Sequence, residues 1–201
     1  MRKFLVTISS LILVIVSCFS IVGCKKKDES VKGFENQVQT VISDNYYVKM
    51  KLISASSDTE TIREFARVGD DMTQLYTARA LSDRSIIEQN KRYIVAGTQY
   101  LFDYYTKSYT VTNVNFSSYI VEYTDKKTGK NVVNNQELNY VCYSTSPLSK
   151  TYFYRSKDKI KYWLDVSDKG EFLFEVITIT KKIPQSAGCD FKIPTGYTRA
   201  N

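Results

Sequence analysis

The hydrophobic positions of this chain change their period as the sequence is followed. Val31, Phe34, Val38, Val41 and Ile42 recur as one stripe of an α-helix, with Lys32, Glu35, Asn36, Gln39 and Thr40 on the other side. The helix should end near Asp44-Asn45. There the period drops from 3.6 to 2. Tyr46, Val48, Met50 and Leu52 alternate with Tyr47, Lys49, Lys51 and Ile53, as a half-buried strand does.

Further strand-like runs succeed one another at intervals of about ten residues, the spacing of an antiparallel meander. They cover Ile62 to Val68, Met72 to Arg79, Arg84 to Gln89, Arg92 to Ala96 and Tyr100 to Thr112. Asn90-Lys91 reads as a turn between two of them. In the second half, Ser118 to Tyr123, Leu138 to Tyr143, Thr151 to Arg155, Ile160 to Val166 and Glu171 to Thr180 are strand candidates. Asp125 to Asn131, with Gly129, and Ser144 to Ser149, with Pro147, read as connections. Pro184, Gly188, Pro194 and Gly196 mark the tail as an irregular strap over the sheet.

One amphipathic helix followed by some ten strands predicts an α+β, mostly β domain. Its core would be a curved antiparallel sheet, an incomplete barrel, because a single sheet of that size twists and curls. The hollow side must be covered, and the N-terminal helix is expected on the concave face. The tail is expected to help cover the same side.

Ahead of the helix, Arg2 and Lys3 precede an apolar run from Phe4 to Val22. The run is long enough to suggest a membrane span, but the residues at its end change the reading. Ile21-Val22-Gly23-Cys24 resembles the bacterial lipobox. That resemblance implies cleavage after Gly23 and a diacylglyceryl group on the Cys24 thiol. Residues 1–23 then form a lipoprotein signal peptide, 24–30 a tether and 31–201 a single domain. Lys25, Lys26 and Lys27 come directly after, and a basic flank beside a lipid anchor is a two-signal membrane attachment. The expected location is the extracytoplasmic face of the cell membrane.

The chain has 201 residues and a net charge of +7. The excess positive charge is spread along the chain with no basic stripe, which gives no support for a nucleic-acid partner. The sequence holds no His, which excludes Ser-His-Asp and Cys-His relays and His-ligated metals. Four Cys are present. Cys18 leaves with the leader and Cys24 is acylated, so Cys142 and Cys189 remain. An exported location permits a bridge between them, worth about 4 kcal/mol. Two buried thiols are the alternative.

The order of elements, and a closing Phe191, Ile193, Pro194, Gly196 and Tyr197, resemble the LolA-like superfamily of lipoprotein carriers and envelope lipoproteins. The segment Ile86 to Ile94 is similar to the family's strand–turn–strand with a Tyr, here Tyr93, after the turn. The resemblance implies an incomplete barrel that wraps helices and holds a hydrophobic cavity for acyl chains or other lipids.

Sixteen Tyr are present. Tyr100, Phe102 and Tyr104 on one strand, Tyr152 and Tyr154 on another, and Tyr162, Trp163, Phe172 and Phe174 are candidate ligand-binding residues. Cross-strand packing accounts for the same residues. Asp70-Asp71, and Asp165 with Asp168, are carboxylate pairs at predicted turns, where Asp caps the backbone. Glu64 and Glu175 read as sheet-surface charges. No phosphate loop, nucleophile elbow or metal-ligand spacing occurs, so no catalytic residue, metal or cofactor is expected. The expected function is binding of a lipid or other amphiphile in an apolar cavity at the membrane. The alternative is an envelope protein-interaction module without a small ligand, docking a partner through edge strands or its basic outer face.

Overall fold

The computed structural model describes residues 30–53, 58–115 and 121–200. The lipid-attachment residue Cys24 and the leader lie outside them. One helix, α1 (Phe34–Val41), precedes twelve strands. These are β1 (Asn45–Leu52), β2 (Thr59–Val68), β3 (Asp71–Ala80), β4 (Ile86–Val95), β5 (Thr98–Asp103) and β6 (Ser108–Asn113). The second half adds β7 (Thr124–Val133), β8 (Gln136–Ser146), β9 (Ser149–Ser156), β10 (Lys159–Ser167), β11 (Gly170–Thr180) and β12 (Thr198–Arg199).

All twelve belong to one open, curved sheet in the order β12-β6-β5-β4-β3-β2-β1-β11-β10-β9-β8-β7. Two meanders, β1 to β6 and β7 to β11, meet side by side along β1 and β11. Neighbours are antiparallel except β12, which runs parallel to β6. Register shifts interrupt the ladder at Lys49/Met50 and Ile160/Tyr162, and such bulges add local twist.

Strand parity fixes two faces. Tyr46, Val48 and Met50 of β1 face the helix, whose Phe34, Val38 and Val41, together with Val31 just ahead of it, pack with them and with Phe153, Ile160, Trp163, Phe174 and Ile179. Gln37 stitches the helix to the sheet. Its side-chain amide donates to the Val31 carbonyl at 2.8 Å and its Oε1 accepts from the Ile160 amide at 2.7 Å. Thr40, expected on the outer side, is buried and bonds back to the Asn36 carbonyl.

The tail does not share the hollow with the helix. Tyr47 points the other way and packs with Ala66 and Cys189, so the strap lies on the opposite face. Glu64, also on that face, is buried rather than a surface charge. Its Oε2 accepts the Gly188 amide at 2.9 Å and the Tyr47 hydroxyl at 3.1 Å, and its Oε1 meets Lys49 Nζ at 3.1 Å. Gly188 allows this close approach, since a Cβ there would lie 2.4 Å from Leu75 Cδ2. The strap ends as β12, which caps the edge strand β6.

Three other expectations give way, and one open alternative is decided. Asn90-Lys91 is not a turn, because β4 runs unbroken from Ile86 to Val95, and the family-like strand–turn–strand is a single strand here. The Tyr100 to Thr112 run is a hairpin that turns at residues 104–107. Asp125 to Asn131 lies inside β7, an edge strand exposed along most of its length, so no apolar alternation announces it. The true turn is Asn134-Asn135, both at positive φ (47° and 58°) as a tight hairpin requires. Finally, the two cysteines are free and buried. Cys142 sits on β8 while Cys189 lies over β1 and β2, four strand spacings away. That is on the order of 15–20 Å, and a disulfide needs Cα atoms within about 7 Å.

Candidate functional site

Beside the helix, on the same face, the sheet leaves a half-open hollow of about 250 Å³. Strand alternation builds its walls. β1 presents Tyr46, Val48 and Met50, β2 presents Arg63 and Phe65, and β10 presents Trp163 and Asp165. Val121 and Tyr123, just ahead of β7, close one side. Val31, Phe34 and Val38 fill the adjoining core and Ile42 packs partly against it, but they do not fill this space.

Its aromatic lining is tightly packed. The Phe153 and Trp163 rings meet edge to face at 4.8 Å, and Tyr46 lies 5.6 Å from Phe65. Burial holds the Tyr46 hydroxyl well above its ordinary pKa, against the opposing pull of Arg67 and Arg63. Burial raises Tyr123 likewise, with Tyr46 and Asp165 adding to the shift.

Within this apolar setting sits one pair of opposite charges. Asp165 Oδ1 accepts the Trp163 indole N–H at 2.6 Å and the Thr151 hydroxyl at 2.8 Å. Asp165 Oδ2 lies 4.0 Å from Arg63 Nη1, too far for a hydrogen bond. The Arg63 guanidinium lies 5.8 Å from the centre of the Phe174 ring. Its side chain is 29% exposed, yet its Nε is buried with no hydrogen-bond partner among the described residues. Burial lowers the Arg63 pKa, and Asp165 and Tyr46 counter that.

The structure scatters most of the residues that the sequence nominates. Trp163 lines the hollow, and Phe174 lies in the core on the same face. Phe172 pairs across the strands with Asp165, also on that face, but is 45% exposed. Tyr152, Tyr154 and Tyr162 point to the opposite face, where they cluster with Val133 and Leu138. Tyr100 and Phe102 share that face further along. Tyr100 stacks on Tyr93 at 4.5 Å, and Phe102 is buried against Tyr197 of the strap. Tyr104 lies in the β5–β6 turn, with Lys107 Nζ 3.7 Å from its ring centre.

Asp165, expected at a turn, is inside β10. The sequence pattern also passes over Arg63, Tyr46, Phe65 and Tyr123. The available signal was parity, because Arg63 shares its strand face with Phe65, and Asp165 with Trp163.

A wider cavity of about 530 Å³ lies under the strap on the other face, lined in part by Lys91, Lys107, Lys192, Asp190 and Tyr197. Its buried cation, Lys91, is satisfied by Asp190 and by the Lys192 carbonyl. Among the described residues no cluster of Cys, Asp and Glu could hold a metal ion.

No family model matches this chain, and no curated protein matches it in sequence. Solved structures that it resembles include an uncharacterized conserved protein from Thermus thermophilus. That protein is 11% identical with a TM-score of 0.45, and the match covers 83% of this chain and 95% of that one. LprF from Mycobacterium bovis is 6% identical with a TM-score of 0.35, and the match covers 80% of this chain and 100% of that one.

Proposed function

We propose that this protein is a membrane-anchored extracytoplasmic lipoprotein that binds a lipid or other amphiphile in the hollow beside the helix, without catalysing a reaction. The observation that carries this reading is the hollow itself. It is concave, apolar and aromatic, left half open by the helix, and it holds a few converging polar groups, as ligand sites do. Its volume lies just below the usual range for small-molecule sites, about 300–1,000 Å³. It therefore suits a head group and the first part of one chain rather than a whole lipid.

The anchor follows from the lipobox-like Ile21 to Cys24, which would hold the domain at the bilayer where amphiphiles are concentrated. No helix among the described residues is long and apolar enough to cross a membrane.

Two measurements test the reading. The full chain, extracted from membranes and examined by native mass spectrometry, should carry a bound amphiphile. A fluorescent acyl probe should compete with that amphiphile. A chain with no co-purifying lipid and no affinity for the probe refutes the reading. Incorporation of a labelled fatty acid should be lost in Cys24→Ala.

A further inference from the structure

The cavity of about 530 Å³ on the face opposite the helix is roofed by the strap and walled by β3, β4 and the β5–β6 turn. Ties at both ends hold the roof in place. At one end Glu64 accepts the Gly188 amide, and Lys91 donates to Asp190 and to the Lys192 carbonyl. At the other, the Thr198 amide donates to the Lys107 carbonyl and the Ala200 amide to the Tyr109 carbonyl.

Three ammoniums line this space against one carboxylate. Lys91 is spent on Asp190. Among the described residues the ammoniums of Lys107 and Lys192 meet no carboxylate. Both stand on backbone that the ties fix. Lys107 Nζ lies 3.7 Å from the centre of the Tyr104 ring and 5.4 Å from that of Tyr197, which holds its charge at the cavity edge. The other carboxylates close by are engaged. Glu64 faces Lys49, Glu60 faces Lys51 and Arg84, and Asp103 accepts the Tyr105 and Thr106 amides from the solvent side. An excess of positive charge is left under the strap, and a walled space concentrates counter-ions.

The lining also says what kind of anion fits. An ammonium has three N–H donors and no acceptor, and a phosphate is rich in acceptor oxygens and forms charge-assisted bonds with it. At about 30 Å³ per water-sized group, the space holds roughly eighteen such groups. A bare phosphate is far smaller, so an organic body comes with it. Thr195 and Tyr197 bring hydroxyls to that body, and Gln89, whose amide nitrogen is bonded to Thr77, keeps its carbonyl oxygen for a hydroxyl donor.

We propose that the cavity under the strap is a second binding site, for the phosphate ester of a small polyol such as a glycerophosphate. The Lys107 and Lys192 ammoniums hold the phosphate, and the polyol hydroxyls reach Thr195, Tyr197 and Gln89. A free ester and a phospholipid head group share this chemistry. The site is separate from the hollow beside the helix and does not depend on it.

The full chain in dodecyl maltoside micelles is titrated by calorimetry with glycerol 3-phosphate, with dihexanoylphosphatidylglycerol and with glycerol. At least one ester should bind and glycerol should not, and the tighter ester names the source. Lys107→Gln and Lys192→Gln should each weaken that ester about fivefold. Lys192→Gln keeps the main-chain carbonyl that Lys91 uses, so the strap stays tied. Lys181→Gln removes the same charge outside the cavity and should change nothing. Failure of both esters to bind, glycerol binding as tightly as an ester, or equal effects of all three substitutions overturns the proposal. Each of these leaves the reading of the hollow standing, because that reading is tested by bound lipid and the acyl probe.

Discussion

Glu64 offers a direct measure of what holds the strap to the sheet. Its buried carboxylate takes the Gly188 amide, the Tyr47 hydroxyl and the Lys49 ammonium. Glu64→Ala removes all three at once and takes the acceptor from the part-buried bond of the Gly188 amide. A hydrogen bond to a charged group contributes about 1.5–3 kcal/mol, and losing one partner of a buried pair costs about 3–5 kcal/mol. Lys49 is 37% exposed and can return to water, so its share is small and the two hydrogen bonds dominate. The expected loss is therefore about 3–4 kcal/mol. For a chain of this size that is a fall in Tm of roughly 6–16 °C.

Glu64→Gln keeps an acceptor at nearly the same place and should lose only about 1–2 kcal/mol. Urea unfolding followed by circular dichroism gives both values. Limited proteolysis should cut the tail after Lys181 or Lys182 first in the Ala variant. An Ala variant within about 0.5 kcal/mol of wild type, or one indistinguishable from the Gln variant, would refute the assignment of Glu64 as the anchor.

Phe34→Ala should undock α1 at a loss of about 3–5 kcal/mol, because the ring is buried in the main core; chemical denaturation checks this. Cys142 and Cys189 should resist alkylation in the native chain and react once it is unfolded. Burial raises both thiols, Cys189 to about 12, so neither is a thiolate near neutral pH, and mass spectrometry of alkylated protein reads the difference. Alkaline pH should destabilise the fold. Burial pushes Tyr93 and Tyr152 to about 12, as it does Cys189, so the unfolded chain loses these protons first. Stability should be full below about pH 9 and fall between roughly pH 9 and 12; a flat profile of urea midpoint against pH across that window would contradict this.

Much of the local structure is legible along the chain because its signal is local. The Phe34, Val38 and Val41 stripe marks the helix and its buried face, and all three are buried; Val31, read as part of the same stripe, is buried too but lies ahead of the helix with its amide bonded to the Ile179 carbonyl. Strands β1, β2, β3, β9, β10 and β11 follow from alternation and turn residues. β7 escapes because an edge strand with little buried surface has no reason to alternate. The false turn at Asn90-Lys91 has a similar cause. Lys91 is a polar residue on an inward-facing position, made tolerable by Asp190 from a segment about a hundred residues away.

By itself the sequence determined that Tyr46, Val48 and Met50 stand on one side of a ribbon and Tyr47 on the other, since a strand's period of two is set by the backbone. It also carries the lipobox-like run Ile21-Val22-Gly23-Cys24. Only the tertiary structure decided that the helix would cover the first side and the strap the second. Nor could the chain alone show that Arg63 of β2 and Asp165 of β10 would meet across β1 and β11. That meeting depends on the joining of the two meanders along β1 and β11. Pairing between distant strands is chosen by the fit of whole faces, which no local window of sequence contains.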